Sequence, residues 1–407
     1  MDRVVVIGGG PAGFMAAIAA ASRAAVSVYD AGVPLATLLR TGGGRCNLTN
    51  SRVDPRQLAD QYPRGGTFLI SVFTRFGTAE TMEWFRSRGL PLVEEDGGRI
   101  FPRSGRADDV RDVLVAEARR VGVAVHARQE VLSVARDGSG FVVTTPRGEV
   151  PADGLVIATG GAGGGADGFP LARSLGHTIT PIAPSLTGLV ANDPWPRRLA
   201  GLTIAEARLV GIYANRRVAS EAGSILFTHD GVSGPLAFRV SARAAFLPIS
   251  PSTPLHLQLS VCPRMTGREY EKALLDACVE RPRQQVATIL RGMLPRSIAD
   301  VVLELAGVDP SIPACQLTRE KRRTIARLSD RLPLAVVERR RGEEIVTAGG
   351  VALDEVDQKS MESRIVPRLH FCGECLDSDG FTGGFNLQAA WSTGMLAGLA
   401  VGAVRTA

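Results

Sequence analysis

Arg3-Val4-Val5-Val6-Ile7, followed at once by Gly8-Gly9-Gly10-Pro11-Ala12-Gly13, is an apolar run that breaks into a glycine cluster. The run predicts a buried strand over residues 3–7, the Ala-rich stretch behind it a helix over 11–23, and residues 25–30 a second strand. Gly8, Gly10 and Gly13 stand in Gly-x-Gly-x-x-Gly spacing. The first permits a tight turn, the second lets backbone approach a pyrophosphate, and the third lets helix pack on strand. Pro11 and Ala12 fill the first helical turn, where free N–H groups and the helix dipole favour an anion. Asp30 ends the second strand about 20 residues further on, the place of an acid that accepts from a ribose hydroxyl. Strand, turn, helix and acid in this order predict a dinucleotide site.

The rest of the chain narrows the dinucleotide to FAD. The apolar strand at 155–158 ends in Thr159-Gly160-Gly161, as where a two-domain flavoprotein returns to its flavin domain, and belongs inside a covered parallel sheet. Leu369-His370-Phe371-Cys372 is a strand ending in Gly373-Glu374, placed to meet the ribityl or pyrophosphate region. Gly380 to Gln388 then opens a helix whose first N–H groups can face the flavin N1/O2 edge. Three separated elements converging on one cofactor are more specific than any one of them. The fold class expected is α/β, with a Rossmann-like FAD-binding domain of the two-dinucleotide-binding flavoprotein type, interrupted by inserted units.

The 407 residues exceed one ordinary core. The division expected is 1–185 for the first part of the FAD domain, 186–265 for a β-rich insertion, 266–345 for a helical insertion, and 346–407 for the C-terminal part. Helical patterns also fall at 77–89 and 107–121, and strands at 124–127, 131–135 and 141–145. Net charge is +6 and the pI about 9.3, which permits an anionic cofactor or a nucleic acid and demands neither. The basic residues read as spread along the chain, with short runs at 319–323 and 339–341 that suit solvated helix faces. Six Cys residues in this length suit a reducing compartment, and the start of the chain reads as a strand rather than a signal peptide, so the expected location is cytoplasmic. Residues 387–404 are largely apolar but contain Gln388, Ser392, Thr393 and two glycines, which suits a buried helix rather than a membrane span.

With these stretches on view, the chain resembles the bacterial NAD(P)/FAD-dependent oxidoreductases of the BaiN/YhiN type. The matching segments are residues 8–13, 41–50 (TGGGRCNLTN), 101–110 (FPRSGRADDV), 158–161, 227–235 (FTHDGVSGP), 347–351 (TAGGV), 359–363 (KSMES) and 373–394. The resemblance implies a β-barrel-like insertion and a helical one. It also implies FAD contacts at Gly8, Gly10, Gly13, Asp30, Gly43, Arg45, Asn47, Gly373, Glu374, Asn386 and Leu387, with the Val131 backbone at the adenine; Gly42, Cys46 and Gln388, in the same stretches, are expected at the cofactor too. It associates the family with reduction of steroid-like alkenes and of uridine in ribosomal RNA.

Candidate catalytic residues are fewer. Cys46 would pass near the isoalloxazine, either as a proton donor or polar contact or as a small residue in a tight loop. His229 and Asp230 sit on a glycine-flanked turn, where they read as a proton donor with its carboxylate or as turn-stabilising residues. Cys372 and Cys375 form a lone C-x-x-C without a second pair or His cluster, so the expectation is packing, with no metal site. The glycine run 160–165 lacks a following helix and acid, so no second nucleotide site is expected. The activity this adds up to is hydride transfer from NAD(P)H through non-covalent FAD, by way of N5, to a C=C bond of a small molecule. The alternatives are uridine reduction in RNA, a dehydrogenase or oxidase passing electrons to oxygen or quinone, and a non-catalytic redox sensor.

Overall fold

The computed structural model describes residues 1–162, 168–340, 342 and 345–403. Gly163, Gly164, Gly165, Arg341 and Val404, named above within the glycine run, the second basic run and the apolar C-terminus, lie outside that set. The chain forms two units, one of residues 1–183 with 346–407 and one of residues 184–345.

In the first unit, five parallel strands stand in the order Leu369–Phe371, Gly154–Ile157, Asp2–Ile7, Ala24–Asp30, Ala124–Ala127. Val4, Val5, Val6 and Ile7 pair with Gly154 to Ile157 on one side and with Val26 to Tyr29 on the other. A strand flanked on both edges and covered on both faces must be apolar throughout, and these residues are buried. The first helix, Pro11–Ala20, packs against the C-terminal helix, Phe385–Val401. Gly394 and Gly398 allow this: a Cβ on either would press into the carbonyl of Ala12 or Ala16. The C-terminal helix is buried on most sides, and Trp391 donates its ring N–H to the Leu48 carbonyl at 2.9 Å. Among the described residues no helix is long and apolar enough to cross a membrane.

The expected strand at 131–135 forms at Ser133–Asp137, in a three-stranded meander with Gly140–Thr145 and Gly148–Ala152. Two helices without a counterpart among the expected elements form at Pro55–Ala59, capped by Asp54, and Gly66–Arg75.

The second unit is a closed antiparallel barrel of six strands, in the order Leu189–Ala191, Gly231–Ser233, Arg216–Phe227, Thr203–Tyr213, Leu255–Ser260, Leu332–Arg339. Two corrections follow. Residues 332–339, read as helical, are the strand that closes the barrel; Leu332, Leu334 and Val336 point inward, the period of two that a strand requires. Gly234–Arg243, read as β-rich, is a helix. The Arg339 end of the second basic run is therefore strand, and its guanidinium donates to the carbonyls of Ala244 and Leu247. The first basic run does lie on a helix, Arg319–Asp330. Barrel interior and helices share one buried apolar cluster, from Leu189 through Tyr270 and Ile298 to Val336.

Candidate functional site

The glycine turn divides its labour. A Cβ on Gly8 (φ +103°) would lie 2.6 Å from the Ala158 carbonyl carbon, and one on Gly13 would press into the Gly8 carbonyl. At Gly10 a Cβ would meet nothing within 4 Å. Gly8 and Gly13 are thus small for packing, while Gly10 faces open space at the start of the helix. The first helical bond runs from Phe14 N–H to the Gly10 carbonyl at 2.9 Å, so the N–H groups of Ala12 and Gly13 have no partner inside the helix, and Pro11 has none to offer. Asp30 accepts from Gly9 N–H and Gly32 N–H, both at 2.7 Å, so it fixes the turn as well as standing where a ribose would be met. Gln129 N–H to the Asp30 carbonyl and Arg128 N–H to the Gly32 carbonyl bring the Val131 segment to the same turn.

A second wall comes from residues far apart in sequence. Gly160 (φ +78°) is open, whereas Gly161 sits against Thr347 and Glu374. Ala162 N–H donates to Thr347 Oγ1 at 3.0 Å, and Thr347 N–H donates to Glu374 Oε1 at 2.7 Å. Burial pushes the Glu374 carboxyl up to about 7, against the opposing pull of the Thr347 hydrogen bonds. Gly373 (φ +78°) lies beside the first helix, where a Cβ would stand 2.7 Å from Ala12 Cβ. Thr159 Oγ1 is buried without a hydrogen-bond partner.

The third wall is the TGGGRCN loop and the head of the C-terminal helix. Gly42, Gly43 and Gly44 all take positive φ, and Gly43 is open to its surroundings. The Asn47 amide, in the orientation that satisfies both its ends, accepts from Gly384 N–H at 3.0 Å and donates to the Thr49 carbonyl at 3.1 Å. The first bond of that helix runs from Gln388 N–H to Gly384, which leaves the N–H groups of Phe385, Asn386 and Leu387 without intrahelical partners.

Several side chains expected on the cofactor are committed elsewhere. The Asn386 amide both accepts from and donates to the Gly380 backbone at 2.8 Å, so only its main chain faces outward. Gln388 is fully buried and bonds to Thr49, Thr81 and Ser392. Arg45 pairs with Glu95 and lies 4.2 Å over the Phe101 ring. Cys46 is fully buried with φ +57°, and burial pushes its thiol up to about 12. That favours its reading as a small residue in a tight loop, since a buried neutral thiol is a poor acid. His229 and Asp230 belong to the second unit. There Asp230 pairs with Arg340 and accepts from Thr228 Oγ1 at 2.9 Å, while His229 is 3.8 Å from Asp230 and exposed.

Cys372 and Cys375 are buried free thiols raised by burial, and Cys375 donates to the Ile157 and Cys372 carbonyls. This is packing, and among the described residues no group of His, Cys, Asp and Glu could hold a metal. Sequence reasoning missed Thr347, which ties Ala162 to Glu374 within the second wall, and the buried pair Arg64–Asp379. The acids in Asp377-Ser378-Asp379, between two cofactor elements, were the available signal.

Open glycines at positions 10, 43 and 160, two helix heads with unpaired N–H groups and an orphaned Thr159 hydroxyl suit a long anionic dinucleotide held mostly by backbone. The class that this fold and site define is the FAD-dependent oxidoreductases. The chain belongs to the HI0933-like Rossmann-domain family, matched over residues 2–400. It is 32% identical over 413 residues to the 3-dehydro-bile acid delta(4,6)-reductase of Clostridium scindens, covering 98% of this chain and 99% of that protein. It is 31% identical over 398 residues to the ribosomal RNA dihydrouridine synthase of Escherichia coli, covering 96% and 95%. Among solved structures, a 3-ketosteroid delta1-dehydrogenase from Sterolibacterium denitrificans is similar in fold, with a TM-score of 0.52, 12% identity and coverage of 99% and 100%. The family and fold class expected from the sequence both hold.

Proposed function

We propose that the chain is an NAD(P)H-driven reductase of an electron-poor C=C bond in a small molecule. The observation that carries this reading is the end-to-end similarity to the bile acid reductase, which includes both chain ends that build the cradle. FAD, when bound, would supply the two-electron chemistry that connects a nicotinamide donor to an alkene acceptor. The protein's part is to hold the cofactor without a covalent bond. The heads of the helices Pro11–Ala20 and Phe385–Val401 stabilise negative charge at the pyrophosphate and at the flavin edge. Asp30 holds the ribose end, and Glu374 with Thr347 fixes the crossing at Gly161. The second unit is a barrel with helices, so NAD(P)H would bind transiently rather than in a domain of its own. The six free thiols suit a cytoplasmic enzyme, and the burial of Cys372 and Cys375 gives no support to a redox-sensing C-x-x-C. Anaerobic titration with NADH and NADPH tests the reading: bleaching of the flavin by one of them, then reoxidation by a conjugated enone, is the expected result. A flavin that neither nucleotide bleaches would favour a substrate dehydrogenase or oxidase.

A second reading, reduction of uridine in RNA, is favoured by the charge distribution. Residues 184–345 carry 23 Lys and Arg against 16 Asp and Glu, while the rest of the chain is net −1. The positive charge is therefore concentrated rather than spread. This reading expects RNA binding that weakens steeply with salt.

A further inference from the structure

Reducing a C=C bond needs a proton as well as a hydride, and two of the three side chains singled out from the sequence, Cys46 and Asp230, supply one poorly. Cys46 is sealed in its loop, and Asp230 is tied to Arg340. Asp377 differs from both. It lies three residues after Glu374 and seven before Gly384, between two elements of the cradle. Its N–H donates to the Val351 carbonyl at 3.0 Å, which fixes the backbone there. Its Oδ1 is buried and has no hydrogen-bond partner, while the residue as a whole keeps partial exposure.

The groups around it pull in both directions, and burial outweighs those that favour a charged carboxylate. The neighbouring Thr180 hydroxyl donates to the Gly350 carbonyl at 3.1 Å and accepts from Gly350 N–H at 3.0 Å, so the backbone competes with Asp377 for its proton. The Arg64 guanidinium holds Asp379 through two of its nitrogens, and Asp379 itself adds a like charge. Burial, the largest influence, pushes the Asp377 carboxyl up; the Thr180 hydroxyl and Arg64 oppose this, and Asp379 reinforces it. An oxygen buried without a donor stabilises the neutral acid, which leaves a proton to give.

Resting on the reductase reading, we infer that Asp377 is the proton donor of the reaction. Hydride derived from NAD(P)H forms a C–H bond at one alkene carbon, and the π pair moves to the other carbon. The Asp377 O–H bond breaks, its proton forms the second C–H bond, and the resulting carboxylate is reprotonated from water. General acid catalysis of this kind is worth about 10²–10⁴-fold.

The test compares the holoenzyme with Asp377→Asn and Asp377→Glu, using a conjugated cyclic enone as oxidant of the NAD(P)H-reduced protein. Asp377→Asn is expected to slow reoxidation by the enone about 100-fold or more relative to reoxidation by ferricyanide, which needs no carbon protonation, and Asp377→Glu to recover part of the loss. The resting holoenzyme, without substrate, is expected to show a carboxylic-acid C=O infrared band that Asp377→Asn removes. Equal enone rates in parent and Asp377→Asn, or no such band, would overturn the inference alone. A parent that the enone fails to reoxidise would overturn the reductase reading, and this inference with it.

Discussion

The two units handle backbone and charge in opposite ways. Among the described residues, the unit of residues 1–183 and 346–407 has nineteen glycines with positive φ, against five in residues 184–345. Yet it is the second unit that carries the net positive charge. On the proposed reading the first unit would hold a dianionic pyrophosphate chiefly through oriented N–H groups at helix heads rather than through its cationic side chains. The second unit carries its surplus of Lys and Arg apart from those helix heads. The comparison teaches that overall basicity says little about where a phosphate-bearing cofactor binds.

The largest effect expected separates two glycines of the same turn. Gly13→Val should leave little folded protein, since its side chain would occupy the Gly8 carbonyl. Gly10→Val should fold and elute colourless, with FAD affinity reduced about 100-fold or more, roughly 3 kcal/mol, because its side chain fills the open space and nothing else. Flavin absorbance per protein and the thermal midpoint separate the two outcomes. Stoichiometric FAD in Gly10→Val would break the claim that the first unit binds through its backbone.

Next is the buried pair of the first unit. Arg64→Leu removes the guanidinium that pairs with Asp379, which has no exposed surface, a loss of about 3–5 kcal/mol that denaturant unfolding would read. A change below 1 kcal/mol would mean that the first unit tolerates buried charge as easily as it does exposed charge.

Acid behaviour sharpens the comparison further. His370 is buried with neither ring nitrogen bonded, and burial lowers it to about 4 from an unfolded value near 6.5. The unfolded chain binds the proton first, so this contribution to stability is complete above pH 6.5 and lost as pH falls toward 4, by about 3 kcal/mol at most. His177 is lowered in the same direction, and Glu374, raised to about 7, acts with the opposite sign; both remain in a His370→Leu variant. Unfolding from pH 7 to 4 should therefore fall less steeply in His370→Leu than in the parent. Parallel curves would remove His370 from the account.

The smallest effect belongs to the second unit. Arg319, Arg323 and Arg327 share one exposed face of their helix. Arg319→Gln with Arg327→Gln should leave flavin content and stability unchanged. If the RNA reading holds, it should reduce the slope of log K against log salt by about 2. An unchanged slope would show that this face does not meet RNA phosphates.

What the sequence determined by itself was local: an apolar run, a glycine turn and an Ala-rich helix within thirty residues, each with a period or spacing that only one backbone geometry satisfies. The same holds for Gly160, Gly373 and the glycines before Asn386, whose role depends on their own φ and on lacking a side chain. Tertiary structure decided the rest. Gln388, Asn386 and Arg45 are polar residues near the cradle, and nothing local says whether an amide or guanidinium turns to a ligand or to Thr81, Gly380 or Glu95. The strand at 332–339 carried a readable alternation, but the helix before it outweighed that signal until barrel closure supplied partners on both edges. Asp377 is a plain surface-type acid in sequence. Only the fold buries one of its oxygens without a hydrogen-bond partner, the observation on which its proposed role as an acid rests.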